Sequence, residues 1–486
     1  MKHPANTLSV LLAAVLLFSA CGQSGNEGNP AASDSARTAG TEEPTAAVTE
    51  APVPVSSLPE SYDLGGYNFR IFKLNPDKIA WSLNIMNPTA ETGDVLNDTV
   101  FRRNQLVMEK YNFTITETMT DGDLGAESRK FIQANEDAYD VIQDQLPSSR
   151  HAKNGYYLDF NEIEWLELDK PWWDQNLIRD LSIDGRIYLM NGDILVSDDD
   201  SMYMMMYNRP MAEDYDIENL YDAVDAGKWT YDLMYDSMKL VGEDLNQDGT
   251  MDINDRFGLF YVNNSAADVF FGSAGCSLFK MKNGEPQFAG DGERCYDVYE
   301  KYQEMLTDTS TAFSWTNLKD GNVMYPMIDN KQILFQTAAL SMCRRSYRDL
   351  KVDFGLLPLP KFDEAQEVYY TCIGKSTPYL FVPVTAGAQD KVGFVLEALA
   401  ANSGSVTQAY SEICLQSKYT RDTRSYEMIK LALKNLVYDP GFIYDFGSIG
   451  SKVRDGVVDN TVRYASLLAS VQPAAEAAAK EFLIKD

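Results

Sequence analysis

Between Tyr67 and Ile142 the apolar spacing switches back and forth between two periods. Asn112 to Met119 (NFTITETM) alternates apolar and polar residues, the spacing of a half-buried strand, and Tyr67 to Leu74 (YNFRIFKL) reads the same way. Between them, Thr99 to Tyr111 carries helical spacing, with Asp98 placed to cap its first turn. Glu127 to Asn135 predicts a second helix and Tyr139 to Ile142 a third strand. Strand, helix, strand, helix, strand is the rhythm of an open α/β sheet with crossover helices. Ligands of such sheets sit beyond the carboxyl ends of strands, here at Gln143, Asp144 and Gln145. Farther on, helices are predicted over Tyr231–Val241 and Cys295–Leu306, and strands over Ile333–Met342, Val352–Leu357 and Tyr379–Pro383. The run Met202 to Met206 (MYMMM) reads as a core strand, and helical pieces follow Tyr410, ending in the alanine-rich Pro473–Leu483. The fold class is therefore α/β, without an internal repeat.

The N-terminus breaks this pattern. In MKHPANTLSVLLAAVLLFSAC, Lys2 precedes an apolar run from Leu8 to Phe18, and the small residues Ser19 and Ala20 precede Cys21. The run is shorter than the roughly 20 residues a bilayer span needs, so it reads as an export signal. Its end resembles a bacterial lipobox, which implies diacylation of Cys21. Residues 22–58 are rich in Gly, Ala, Ser, Thr, Glu and Pro with almost no large apolar residue, and are expected to form a disordered tether.

Composition narrows the chemistry. A net charge of -30 repels phosphate backbones, so nucleic acid is excluded as a partner. Of two histidines, His3 lies in the signal, leaving His151 for the mature chain. Histidine-based triads and HExxH zinc sites are thereby excluded. The run Ile373 to Thr377 (IGKST) lacks the first glycine of a phosphate loop, which would fall at Tyr369. The remaining cysteines, Cys276, Cys295, Cys343, Cys372 and Cys414, form no CxxC pair and no structural zinc pattern.

The most explicit site is DLNQDGTMDIND. Counting Asp244 as position 1 puts Asn246 at 3, Asp248 at 5, Gly249 at 6, Thr250 at 7, Asp252 at 9 and Asp255 at 12. Those are the oxygen positions of an EF-hand-type calcium loop, with glycine at the turn. The sequence after it, RFGLFY, is strand-like, so a single calcium loop inserted in another fold is expected, acting as a structural clamp.

Several segments together carry a family resemblance: the lipobox and tether; Tyr139-Asp140-Val141-Ile142; Met206-Tyr207-Asn208-Arg209; Gly227-Lys228-Trp229-Thr230-Tyr231-Asp232; the acidic loop with Arg256-Phe257-Gly258-Leu259; and Val352 to Pro360 (VDFGLLPLP). In this order the chain resembles the extracellular sugar-binding proteins of bacterial ABC importers, the larger class found as lipoproteins in Gram-positive bacteria. The resemblance implies a two-lobed periplasmic-binding-protein-like fold with a hinge. Lobe one would be 59–200 with 376–400, and lobe two 201–375 with 401–486. It also implies a lipid-anchored monomer on the outer face of the cell membrane, which captures an oligosaccharide and passes it to a permease. The alternative is a tethered polysaccharide-degrading enzyme using two carboxylates.

Sugar sites pair flat aromatic faces with planar polar side chains. On that logic the candidate ligand residues are Gln143, Asp144, Trp172, Trp173, Tyr203, Asn263, Asn264 and Arg345. A neutral oligosaccharide is expected, with Arg344-Arg345 the feature that would favour a uronate.

Overall fold

The computed structural model describes residues 55–79 and 81–483, without the side chains of 263–264 and 417–419. The signal, Cys21 and nearly all of the tether lie outside the described residues. The strands are β1 (Tyr67–Leu74), β2 (Phe113–Thr120), β3 (Val141–Gln145), β4 (Tyr203–Asn208), β5 (Phe257–Tyr261), β6 (Phe279–Lys282), β7 (Glu285–Phe288), β8 (Ala312–Ser314), β9 (Ile333–Ala339), β10 (Phe354–Leu357) and β11 (Pro378–Phe381). They form two main sheets, ordered β11-β3-β1-β2 and β10-β4-β9-β5-β8, and a β6-β7 hairpin.

In the first sheet β1 pairs parallel with both β2 and β3, as the βαβαβ spacing predicts, and β11 closes the edge antiparallel to β3. The crossover helix Val95–Tyr111 begins earlier than its apolar spacing suggests. Its cap is Asp94, whose carboxylate accepts from the N–H groups of Leu96 and Asn97. Asp98 sits instead in the first turn, buried, and accepts from the N–H groups of Thr92 and Gly93 at 2.7 and 3.1 Å. The helix ends at Asn112, in the left-handed conformation (φ 53°) that asparagine tolerates. β3 runs longer than predicted, because its pairing continues through Lys73↔Gln143 to β1 and Tyr379↔Asp144 to β11. Gln143 and Asp144 therefore lie within a central strand and not beyond its end.

The second sheet is mixed. β5 pairs parallel with β8 and β9, while β4 pairs antiparallel with β9 and β10. Met204, Met205 and Met206 are all buried, so the methionine run is core strand. The predicted strand Ile333–Met342 stops at Ala339 and turns into the short helix Ser341–Arg345.

The chain crosses between the sheets along two adjoining segments. Tyr203 N donates to Cys372 O at 3.0 Å and Gly374 N to Ser201 O at 3.2 Å. Asn191 Nδ2 and Ser197 Oγ both donate to Pro378 O, at 3.1 and 2.9 Å. A later connection follows the buried helix Gln389–Ala401 to the helix Thr423–Lys434, where Ser425 Oγ accepts from Leu356 N of β10. No described helix is long and apolar enough to cross a membrane.

Candidate functional site

Four strand ends converge on one cavity of about 250 Å³. Trp81 comes from the loop after β1, Val262 and Ser265 from the turn after β5, Trp315 from the residue after β8, and Ala339, Ser341, Met342 and Arg345 from the turn after β9. Tyr203 opens β4, and Gly374 to Thr377 supplies the crossing segment. This is the carboxyl-end position at which open α/β sheets bind ligands. Trp81 is 46% exposed and Trp315 40%, so each offers an indole face to solvent. Trp315 is held in place: Thr316 N donates to Ser314 Oγ, the Phe260 ring meets its edge at 6.1 Å, and Gly321 passes so close that a Cβ there would lie 2.3 Å from the indole.

The polar lining is made of neutral groups and two cations. Gln336 is only 3% exposed; its Nε2 rests against Met324 Sδ at 3.0 Å and its Oε1 has no hydrogen-bond partner. A buried, unpaired acceptor costs about 1–3 kcal/mol, a cost removed when a ligand hydroxyl donates to it. Tyr325 lines the same wall and donates to Ser346 Oγ at 2.8 Å. The tyrosine hydroxyl of Tyr203 is pushed well above its ordinary pKa by burial, so it stays a neutral donor and acceptor. Arg345 and Lys375 are the charged residues of the lining, which holds no Asp or Glu.

A smaller cavity of about 140 Å³ lies on the other side of Lys375, lined by Leu146, Arg150, Asp268, Asp439 and Arg454 among others. Its charges are largely satisfied from within. Arg454 grips Asp268 through two bonds of 2.7 and 2.9 Å, and Asp439 accepts N–H groups from Leu278, Phe279 and Gly441. No exposed tryptophan flanks it.

The residues expected from sequence are thus distributed unevenly. Tyr203 and Arg345 line the larger cavity. Asn263 and Asn264 open the helix Asn263–Ser273 between Val262 and Ser265, but their side chains lie outside the described residues. Gln143 and Asp144 are buried in β3 and line neither cavity. The Asp144 carboxylate accepts from Gln145 N at 2.7 Å and from the Ser148 hydroxyl, and burial raises its pKa.

Trp172 and Trp173 are corrected outright: they are 5% and 1% exposed and belong to the core. Both indole N–H groups donate to the Glu397 carboxylate at 3.0 Å, and Glu167 N donates to it at 3.1 Å. Burial pushes Glu397 up to about 7. Gly192 (φ 145°) permits this packing, since a Cβ there would lie 2.2 Å from the Trp172 carbonyl oxygen. Trp81, Trp315, Tyr325, Gln336 and Lys375 were missed in the sequence. The available signal was a lone tryptophan in a polar loop just after a strand, in KIAWSLN and AFSWTN.

The acidic loop forms the turn its glycine foretells, with Gly249 at φ 81°. Asp244 accepts from the N–H groups of Gln247 and Gly249, Asn246 from Asp248, and Asp248 from Thr250. Asp255 is fully buried and accepts from Leu245 and Asp252 at 3.0 and 2.7 Å, which pins the two ends of the loop together. The donor set, all oxygen and mostly anionic, suits a hard cation. In this conformation the oxygens face the loop's own N–H groups, and among the described residues no group of three or more His, Cys, Asp or Glu is arranged around a metal position.

No family model and no curated protein matches the sequence. Solved structures do match. The galacto-N-biose/lacto-N-biose I-binding protein of an ABC transporter from Bifidobacterium longum superposes with a TM-score of 0.59 at 16% identity, over 87% of this chain and 99% of that one. The fold is that of the ABC-transporter solute-binding proteins. A substrate-binding protein of Listeria monocytogenes in complex with cycloalternan gives 0.54 at 13% identity over 86% and 100% of the two chains. UgpB of Mycobacterium tuberculosis, in complex with glycerophosphocholine, gives 0.53 at 12% over 86% and 100%. The larger cavity lies where the segments that cross between the two sheets meet.

Proposed function

We propose that this chain is the extracellular solute-binding lipoprotein of an ABC importer, capturing an oligosaccharide between its two lobes and delivering it to a membrane permease. The observation that carries this reading is the larger cavity: Trp81 from one lobe and Trp315 from the other, with the orphaned Gln336 oxygen between neutral hydroxyl-bearing side chains. Aromatic faces cover the C–H faces of a sugar and the amide and hydroxyl groups meet its rim. The structural relatives solved with lacto-N-biose and cycloalternan support a saccharide. The enzyme alternative would need two carboxylates flanking a glycosidic bond, and this lining has none.

The lobes would be residues 59–200 with 376–400, and 201–375 with 401–486, closing by rotation about the crossing segments. Cys21 would carry the lipid anchor at the outer face of the membrane, and the loop Asp244–Asp255 would hold calcium as a clamp. Calorimetry with a panel of oligosaccharides tests the central claim. Saturable binding is expected, with a reduced radius of gyration by small-angle scattering and no release of reducing ends. Cleavage of a bound sugar, or no binding across the panel, would overturn it.

A further inference from the structure

Two cations line the larger cavity, Arg345 and Lys375, and among the described residues neither forms a salt bridge. Arg345 is half-buried, and the contact its guanidinium makes is with the sulfur of Met342 at 3.9 Å. The carboxylate that acts on it electrostatically, Asp200, is already engaged: Arg344 grips it at 2.9 Å and Tyr410 donates to it at 3.2 Å. Lys375, also half-buried, forms neither a salt bridge nor a side-chain hydrogen bond among the described residues; of the carboxylates that act on it, Asp268 is taken by Arg454 and Asp445 accepts from Ser451, while Asp455 acts at longer range. Burial is the largest cause lowering the pKa of both cations; Arg344 and Arg454 add to it, while Tyr325 and Asp200 oppose it at Arg345 and Asp268, Asp445 and Asp455 oppose it at Lys375.

Several other buried cations are paired, although Lys361, also buried, meets only the ring of Tyr369 at 5.3 Å among the described residues. Lys73 meets Glu117 at 3.0 Å, Arg344 meets Asp200 and Arg454 meets Asp268. Arg103 lacks a carboxylate but donates to Asn104 Oδ1, Ser403 Oγ and the Ile194 carbonyl. A desolvated charge without a partner is unfavourable. The retention of Arg345 and Lys375 makes sense when the occupant supplies the negative charge. It is also opposite to the chain as a whole, whose net charge is -30.

Resting on the saccharide-binding reading above, we propose that the ligand is an acidic saccharide, its carboxylate received by Arg345 with Lys375 as the second positive charge of the same cavity. Arginine's planar fork matches a carboxylate through two parallel bonds, whereas lysine acts as a point charge. Tyr203, Gln336 and Tyr325 then serve the hydroxyls of the ring, and Trp81 and Trp315 its apolar faces. The neutral ligand expected from composition alone gives way on this point.

The test is calorimetry on the full chain with digalacturonate, its dimethyl ester, a sulfated galactose disaccharide and maltotetraose. Digalacturonate should bind at least tenfold more tightly than its ester and weaken as sodium chloride rises from 50 to 500 mM, while the ester stays constant. Arg345→Gln and Lys375→Gln should each cost digalacturonate at least tenfold more than they cost the ester. Arg345→Lys, which keeps charge but not the fork, should fall between, and guards against a folding defect in the neutral variant. Equal affinity for acid and ester, or binding of maltotetraose alone, overturns the acidic ligand and leaves the saccharide-binding reading standing. Preference for the sulfated disaccharide over digalacturonate overturns the carboxylate assignment. Failure of all four to bind overturns the saccharide-binding reading as well.

Discussion

Trp81→Ala and Trp315→Ala are expected to weaken saccharide binding about tenfold each while leaving thermal stability nearly unchanged. Their faces are partly exposed, so truncation removes stacking worth roughly 0.5–1.5 kcal/mol and, of the core, mainly the edge contact of Trp315 with Phe260; about 1.4 kcal/mol is tenfold in affinity. Trp173→Ala should do the reverse. Its indole is fully buried and bonded to Glu397, so its loss leaves a cavity and an underused buried carboxylate, at about 3–5 kcal/mol of stability. Paired calorimetry and chemical denaturation of the three variants distinguish the roles. A drop in affinity for Trp173→Ala without loss of stability would contradict this division.

Two local elements carry consequences of their own. In the short helix Ser197–Ser201, where the chain crosses between sheets, Asp198 is buried and pushed well above the carboxylate range. Asp199 is pushed up to about 7, first by burial and then by Asp193, Asp174 and Asp200. Around them Tyr379 and Tyr438 are buried and neutral, and the cation Arg344 is engaged by Asp200. A carboxyl whose folded pKa lies above its unfolded value binds protons more tightly when folded. Its contribution is complete below the unfolded value of 3.8 and is lost as pH rises toward and through about 7. Urea midpoints should therefore be higher at pH 5 than at pH 8, and Asp199→Asn should flatten that slope; an unchanged slope would remove Asp199 from the account.

The acidic loop is the second element. A single loop of weak affinity, saturated about thirtyfold over its dissociation constant, would stabilise by about 2 kcal/mol. Chelation should lower the melting temperature accordingly, and Asp248→Ala should abolish the calcium response. If neither changes melting, the loop is a turn held by its own Asx bonds.

At the scale of the whole molecule, the proposed membrane attachment would depend on one atom. Cys21→Ala is expected to release the protein from cells into the medium, since the described residues contain no membrane-spanning helix to retain it. Retention of the variant on the membrane would sink the anchor.

Local signals in the sequence were reliable because they depend on local physics. The alternation of β2, the periodicity of Tyr231–Val241, the methionine core strand and the glycine turn at Gly249 are each set by residues within a few positions. The -30 charge and the scarcity of histidine argued against whole chemistries from the sequence alone. The site was not legible in the same way. Trp172-Trp173 and Trp81 are the same residue type in polar, loop-like sequence, and what separates them is Glu397, more than two hundred positions away, which accepts both indoles of the pair. Whether Gln143 ends a strand or sits inside it depended on β11, which pairs beside β3 from far along the chain. Arg344 and Arg345 are adjacent, yet only the placement of Asp200 decided which one is spent and which faces the cavity. Sequence determined the elements and the outline of the chemistry, because backbone spacing and charge act locally. Only tertiary packing decided which aromatic faces and which charges remain unsatisfied, because that depends on the partners that distant segments bring.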